Sequence, residues 1–142
     1  AVYAILSLER GQLTYTNAGH NRPLLLRNAT GSVEQLPKGG MALGVMEDSQ
    51  YQDHILSIEP CDTLLLYTDG LTEAFSSDGE TFGEERLNST LATAACGSVK
   101  DLLEKLDQIL YSFRKGNQPS DDLTVVALRR KPLQESSLLT KK

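Results

Sequence analysis

Along the first seventy positions, apolar and polar residues alternate with the two-residue period of half-buried strands, interrupted repeatedly by turn residues. Val2-Tyr3-Ala4-Ile5-Leu6-Ser7-Leu8 is apolar and β-branched, Glu9-Arg10-Gly11-Gln12 reads as a hairpin turn, and Leu13-Thr14-Tyr15-Thr16-Asn17 returns. These two strands are expected to pair antiparallel. Pro23-Leu24-Leu25-Leu26-Arg27 follows the loop Ala18–Arg22, and its leading proline suits a strand start or an edge because it has no N–H for a ladder. Val33-Glu34-Gln35-Leu36 is a further short strand. Pro37 to Val45 is punctuated by glycines and reads as a loop whose backbone comes close to something else. Two more strands, His54–Ile58 and Thr63–Thr68, flank the turn Glu59–Asp62, and the second is apolar on both faces in its middle, as a central strand would be.

The period then changes. A loosely patterned helix is expected from Gly83 to Ala94. A second has a continuous stripe of Val99, Leu102, Leu103, Leu106, Ile109, Leu110 and Phe113 at helical spacing. Ser98 and Asp101 have the spacing of a capping box, and Gly116 is placed to stop the helix. Leu123–Arg129 reads as a final strand. Many strands, two late helices and a closing strand predict an α+β fold of antiparallel sheets covered by helices.

With 142 residues and 39% hydrophobic composition, the chain suits one domain with a real core. Charge divides it: acidic side chains outnumber basic ones by nine over residues 1–128, whereas residues 129–142 carry a net charge of +4. An acidic body argues against binding nucleic acid. No apolar run approaches the length that spans a bilayer, which leads to the expectation of a cytoplasmic segment without membrane contact. Cys61 and Cys96 lie far apart and are expected to be reduced thiols. Because Ala1 leads directly into a strand, a piece of a longer chain is expected.

The candidate chemistry lies in carboxylates at strand ends. Asp69 follows the most apolar strand in Tyr67-Thr68-Asp69-Gly70-Leu71-Thr72-Glu73, and Asp121-Asp122 precede the last strand. If those strands are neighbours, Asp69 and Asp121 meet at one end of a sheet, where a divalent cation would relieve their repulsion. An oxygen-only donor set selects Mg²⁺ or Mn²⁺ over zinc. Glu73 joins Asp69 if the chain turns helically between them. Ordinary turn chemistry accounts for Asp69 and Asp121 as well, and local sequence does not choose. The run from Asp69 to Glu85, which holds six acidic residues and no basic one, could steer cations or a basic partner, or simply be solvated loop charge.

Five segments in order resemble motifs of one family: Asn17-Ala18-Gly19-His20-Asn21-Arg22-Pro23, Ala42-Leu43-Gly44-Val45, Leu65 to Ala74, Phe82-Gly83, and Ser120-Asp121-Asp122-Leu123-Thr124-Val125-Val126. The family is the SpoIIE/RsbU branch of the metal-dependent protein phosphatases, the PPM or type 2C family. That resemblance implies an αββα sandwich of two antiparallel sheets flanked by helices. It also implies a binuclear Mn²⁺ or Mg²⁺ centre whose bridging water attacks phosphoserine or phosphothreonine. Asp69 and Asp121 match metal aspartates, and Glu73 matches a carboxylate for an additional ion. Asp122, where many relatives have asparagine, is expected to support the ligands without binding the ion, and Gly70, His20 and Asn17 to do so from within their motifs.

The family's first metal motif, of the Gly-Asp-x-x-Gly-His-Gly type, has no counterpart here. Residues 1–130 therefore resemble the C-terminal portion of a phosphatase domain, and 131–142 a disordered basic tail. By itself this portion is expected to be inactive or weakly active. The resemblance implies a phosphorylated regulatory protein as substrate, of the STAS-type anti-sigma factor antagonist class, and a sensor or receiver domain upstream. The alternative is a non-catalytic, phosphatase-like binding module of a signalling protein.

Overall fold

The structure is a computed structural model and describes residues 1–93, 97–117 and 121–132. Its elements, in chain order, are β1 (Val2–Ser7), β2 (Gln12–Asn17), β3 (Leu24–Leu26), β4 (Val33–Gln35), β5 (His54–Ser57), β6 (Thr63–Tyr67), α1 (Asp69–Thr72), α2 (Gly83–Ala92), α3 (Val99–Arg114) and β7 (Val125–Arg129). Alternation gives β2 two unlike faces: Leu13, Tyr15 and Asn17 are buried while Thr14 and Thr16 are half-buried. β1 and β5 flank β2 in an antiparallel sheet, with Leu6 and Leu56 both opposite Leu13.

The second sheet, also antiparallel, has the order β4-β3-β6-β7. β6 is central, as its apolar faces predict. Leu64 points with Leu25 toward Leu13, Tyr15, Leu36 and Ile58, filling the space between the sheets. On the other face, Leu65, Tyr67 and Leu24 pack against Leu87 and Leu91 of α2 and Leu102, Leu106 and Leu110 of α3. The described residues thus form three layers: sheet, sheet, helices. On the far side of the first sheet Tyr3, Ile5 and Ile55 are exposed.

Pro23 does not mark an edge. It stands one residue before β3, which lies inside its sheet, and it contributes what a proline still has, a carbonyl that accepts from Leu36 N–H at 2.9 Å. β6 ends at Tyr67 and β7 begins at Val125, both inside the expected strands. There the regular ladder gives way to a side chain: Thr68 N–H donates to the Thr124 carbonyl at 3.0 Å, while Thr124 N–H donates to the Thr68 hydroxyl at 2.9 Å. α2 stops at Ala92, and Ala94 and Cys96 lie outside the described residues, as does the expected tail from residue 133 onward. Cys61 is a free thiol.

The capping box of α3 forms, with Asp101 N–H donating to Ser98 Oγ at 3.1 Å and Ser98 N–H to Asp101 Oδ2 at 2.8 Å. Its other end turns left-handed at Lys115, one residue before Gly116. Packing outweighs the cap. Each fully buried leucine of the stripe contributes about 1.5–3 kcal/mol, against about 1 kcal/mol for an N-cap.

A polar joint holds the second sheet's hairpin to the β5–β6 turn. Asp62 is almost wholly buried; its Oδ1 accepts from Asn28 N–H at 2.9 Å, and its Oδ2 accepts from Glu59 N–H at 3.1 Å and from Arg27 at 2.9 Å. Arg27 also grips the more exposed Glu34 through two hydrogen bonds of 2.9 and 3.0 Å. Removing the buried partner leaves two N–H groups and part of a guanidinium without acceptors. Asp62→Ala is expected to destabilise the chain by roughly 2–4 kcal/mol, read from the midpoint of urea unfolding, whereas Glu34→Ala should cost about 1 kcal/mol or less.

The Asp101 carboxyl titrates below its usual range because the Ser98 backbone and hydroxyl hydrogen-bond to it. A depressed carboxylate contributes stability above its unfolded-state value, and that contribution is lost as pH falls through the folded value. Protection of the Ser98 amide, measured against its intrinsic exchange rate, should therefore fall in acid below the ordinary carboxylate range, ahead of protection at Leu106 in the same helix.

Candidate active site

Everything at the site follows from how two chain segments meet beyond the end of β6. The Thr68 hydroxyl donates to the Asp122 carbonyl at 3.0 Å while accepting from Thr124 N–H, so one side chain fixes the 121–124 segment against the start of α1. Gly70 is buried in that contact: a Cβ there would lie 2.6 Å from the Asp122 carbonyl oxygen and 3.3 Å from that of Asp121. Glycine is required here for space, and its backbone is not in the left-handed region. α1 is a single turn whose Glu73 N–H donates to the Asp69 carbonyl at 2.8 Å. The chain does turn helically between Asp69 and Glu73.

Both carboxylates line an open cleft of about 330 Å³, together with His20, Asn21, Arg22, Lys38, Tyr67, Thr72 and Glu84. The turn that carries His20 is braced by Asn17, itself buried. Its Oδ1 accepts from His20 N–H at 2.8 Å and its Nδ2 donates to the His20 carbonyl at 3.0 Å, closing the loop into a rigid turn. The His20 ring nitrogen Nδ1 lies 2.7 Å from the Asn21 carbonyl, which can only accept; Nδ1 therefore carries the proton and a neutral ring keeps its Nε2 lone pair. The glycine-rich loop presses onto the same turn. Gly40 N–H donates to the Asn17 carbonyl at 2.9 Å, and a Cβ on Gly39 would lie 2.2 Å from that oxygen. This is the close approach that its sequence suggests.

Of the residues singled out in the sequence, His20, Asp69 and Glu73 share the cleft, Asn17 braces it, and Gly70 admits the neighbouring segment. Asp121 and Asp122 are adjacent through their backbone but are not among the cleft's lining residues; Asp121 Oδ1 accepts from Asp122 N–H at 2.7 Å. Arg22, Lys38, Tyr67, Thr72 and Glu84 line the cleft without having been singled out. Arg22, Tyr67 and Thr72 lie within the motif segments without a role of their own there, whereas Lys38 sits in an irregular loop and Glu84 resembles any acidic residue of a helix first turn. Glu84 accepts from the Gln35 amide at 3.2 and 3.3 Å. Burial foremost, and then Glu84, push the Tyr67 phenol upward, so it remains a neutral O–H donor.

A hard divalent ion takes about six oxygens or more. Asp69 and Glu73 offer exposed carboxylate oxygens on one wall, with no thiolate beside them, which fits Mg²⁺ or Mn²⁺. Among the described residues, however, no three or more His, Cys, Asp or Glu side chains come together closely enough to hold an ion. The donors present fit one side of a cation site and leave its closure to other groups.

A family model described as Stage II sporulation protein E (SpoIIE) matches residues 1–131. The chain belongs to the SpoIIE family. It is 35% identical over 128 residues to Protein IcfG of Synechocystis, covering 90% of this chain and 20% of that protein. To the phosphoserine phosphatase RsbU of Bacillus subtilis it is 28% identical over 130 residues, covering 91% and 38% respectively. The chain thus spans only a fifth to about two-fifths of the curated relatives it matches. The SiaA-PP2C domain of Pseudomonas aeruginosa superposes with a TM-score of 0.73 at 24% identity, over 90% of this chain and 50% of that one. That likeness establishes the type 2C phosphatase fold, of which this chain carries part. No helix among the described residues is long and apolar enough to cross a membrane.

Gly70 tests how the two segments depend on one another. Gly70→Ala is expected to lower stability by about 1–3 kcal/mol, the range for forcing a methyl into filled space, and to shift the amide resonances of Asp121 to Thr124. Unchanged resonances there would contradict the contact.

Proposed function

We propose that residues 1–130 are the C-terminal portion of a metal-dependent protein phosphatase domain that hydrolyses phosphoserine or phosphothreonine on a regulatory protein. The observation that carries this reading is the cleft itself, which unites Asp69 and Glu73 from the Thr-Asp-Gly segment with His20 from the Asn-Ala-Gly-His segment. Membership of the SpoIIE family and the likeness to RsbU, a phosphoserine phosphatase, support it.

Asp69 and Glu73 would hold Mn²⁺ or Mg²⁺ from one side, with Asp121 brought to the same end of the sheet by the Thr68 and Gly70 contacts. The bound metal would supply a water acidic enough to act as a nucleophile near neutral pH and would screen the phosphate's charge. Asn17 and Gly70 serve by position: one fixes the turn that carries His20, the other lets Asp121 and Asp122 approach. Asp122, whose carbonyl accepts from Thr68, supports the site through its backbone. The remaining ligands are assigned to the part of the domain outside this chain, so these residues alone should bind metal weakly. A regulatory substrate of the STAS-type anti-sigma factor antagonist class, a sensor or receiver domain elsewhere in the protein, and a cytoplasmic setting complete the reading.

The test uses the full-length protein with Mn²⁺ and a phosphoserine peptide. Asp69→Asn and Asp121→Asn are each expected to lower kcat about a hundredfold or more, without loss of folded structure by circular dichroism. Undiminished turnover in both variants would refute the assignment.

A further inference from the structure

Carboxylates and cationic side chains both line the cleft, and the cations have no part in the reading above. Asp69 opens α1, Glu73 follows its last residue and Glu84 stands in the first turn of α2; in the same lining, from the loops after β2 and β4, are Arg22 and Lys38. Among the described ion pairs, none joins these groups, although oppositely charged groups share so small a space. Cations left unpaired beside carboxylates are available to an incoming anion.

Arg22 is prepared for that use. Its Nε donates to the Leu36 carbonyl at 2.6 Å and one terminal nitrogen, Nη2, donates to the Gln35 carbonyl at 3.3 Å. Those bonds anchor one edge of the guanidinium to the end of β4, while Nη1 has no acceptor among the described hydrogen bonds. A side chain already immobilised loses little further entropy when it binds. Lys38 differs: it is exposed, on the loop that Gly39 and Gly40 pin against Asn17, so its backbone is fixed while its ammonium remains free to move. A fixed fork and a mobile point charge on the same wall suit a compact dianion better than a neutral group.

We propose that Arg22 and Lys38 bind the phosphoryl group of the substrate, forming the cationic wall of the cleft opposite Asp69 and Glu73. The inference rests on the phosphatase reading and adds to it the residues that recognise the anion. Its physical logic is balance. A phosphate dianion entering a cleft that holds three carboxylates is drawn in by positive charge, and beside any bound metal the guanidinium and ammonium supply it from the cleft's own lining. Had Arg22 been only a strut for β4, its loss would weaken the fold and leave anion affinity alone.

The experiment measures binding as well as turnover, with the full-length protein in Mn²⁺. Inorganic phosphate is titrated calorimetrically into the parent, Lys38→Gln and Arg22→Gln proteins, and the KM for a phosphoserine peptide is measured on each. Removing either cation is expected to weaken phosphate binding and raise KM by about tenfold, the effect of one charge-assisted hydrogen bond. Phosphate affinity unchanged in Lys38→Gln overturns the proposal, and so does a rise in KM without any loss of phosphate affinity, which would place the contact on the peptide flank. Lys38 is exposed and bonded to nothing described, so this variant keeps the test independent of folding. If the parent binds phosphate through these residues but hydrolyses no phosphopeptide, the phosphatase reading fails while the anion site stands. If hydrolysis depends on Asp69 but phosphate affinity ignores Arg22 and Lys38, only the anion site fails.

Discussion

A single close approach of backbone to backbone governs this molecule: the carbonyl of Asp122 occupies the volume that any side chain at position 70 would need. The Thr68 hydroxyl locks that approach by donating to the same carbonyl and accepting from Thr124 N–H. Both contacts lie where the β6–β7 ladder runs out, so the strand pairing delivers the segments and the threonine and glycine decide how near they come. Asp69 and the Asp121–Asp122 segment, far apart in sequence, are brought together through their backbones in this way. A hydrogen bond of this kind is modest in net energy, about 1 kcal/mol, so the steric limit at the buried Gly70 does more to fix the arrangement.

Burial supplies the energy that holds this geometry. β6 is sandwiched, with Leu64 facing the first sheet and Leu65 and Tyr67 facing the helices, so the strand that ends at the cleft is fixed from both sides. The leucine stripe of α3 contributes to the second of those contacts and carries no cleft residue. On the opposite wall the fixing is polar: Asn17 closes its turn with two hydrogen bonds, and the Gly39–Gly40 segment lies against its carbonyl. One wall is therefore rigid through packing and the other through satisfied backbone groups. A cleft between two such walls can keep unlike charges apart without letting them collapse into ion pairs.

That separation explains the acidic composition better than a simple surface excess does. Part of the negative charge is concentrated on α1 and the first turn of α2, where it faces Arg22 and Lys38 across solvent. A cation bound on the acidic side and an anion on the basic side would each reduce the field the other has to enter. Asp69 and Glu73, two of the three cleft carboxylates, are too few for a hard ion that takes about six oxygens, and among the described residues no third His, Cys, Asp or Glu side chain joins them closely enough to hold an ion. The chain covers half of the SiaA-PP2C domain, whose fold it shares in part.

Strands, helices and their faces were legible in the sequence because they depend on local periodicity: Leu13 and Tyr15 alternate, Leu102, Leu106 and Leu110 recur at helical spacing, and Ser98 with Asp101 announces a cap. The ordered motifs around His20, Asp69 and Asp121 were legible too, through the order in which five segments resemble those of one family. What the sequence could not show was proximity. Pro23 as a neighbour of an interior strand, the handover from backbone ladder to Thr68 hydroxyl, and the meeting of Arg22, Lys38 and Glu84 with Asp69 all depend on which strands pair and in what register. Local propensity determined the elements and the chemistry each carries; long-range pairing and the space left at Gly70 decided which of those groups face one another, because electrostatics and hydrogen bonding act through distances that only the folded chain defines.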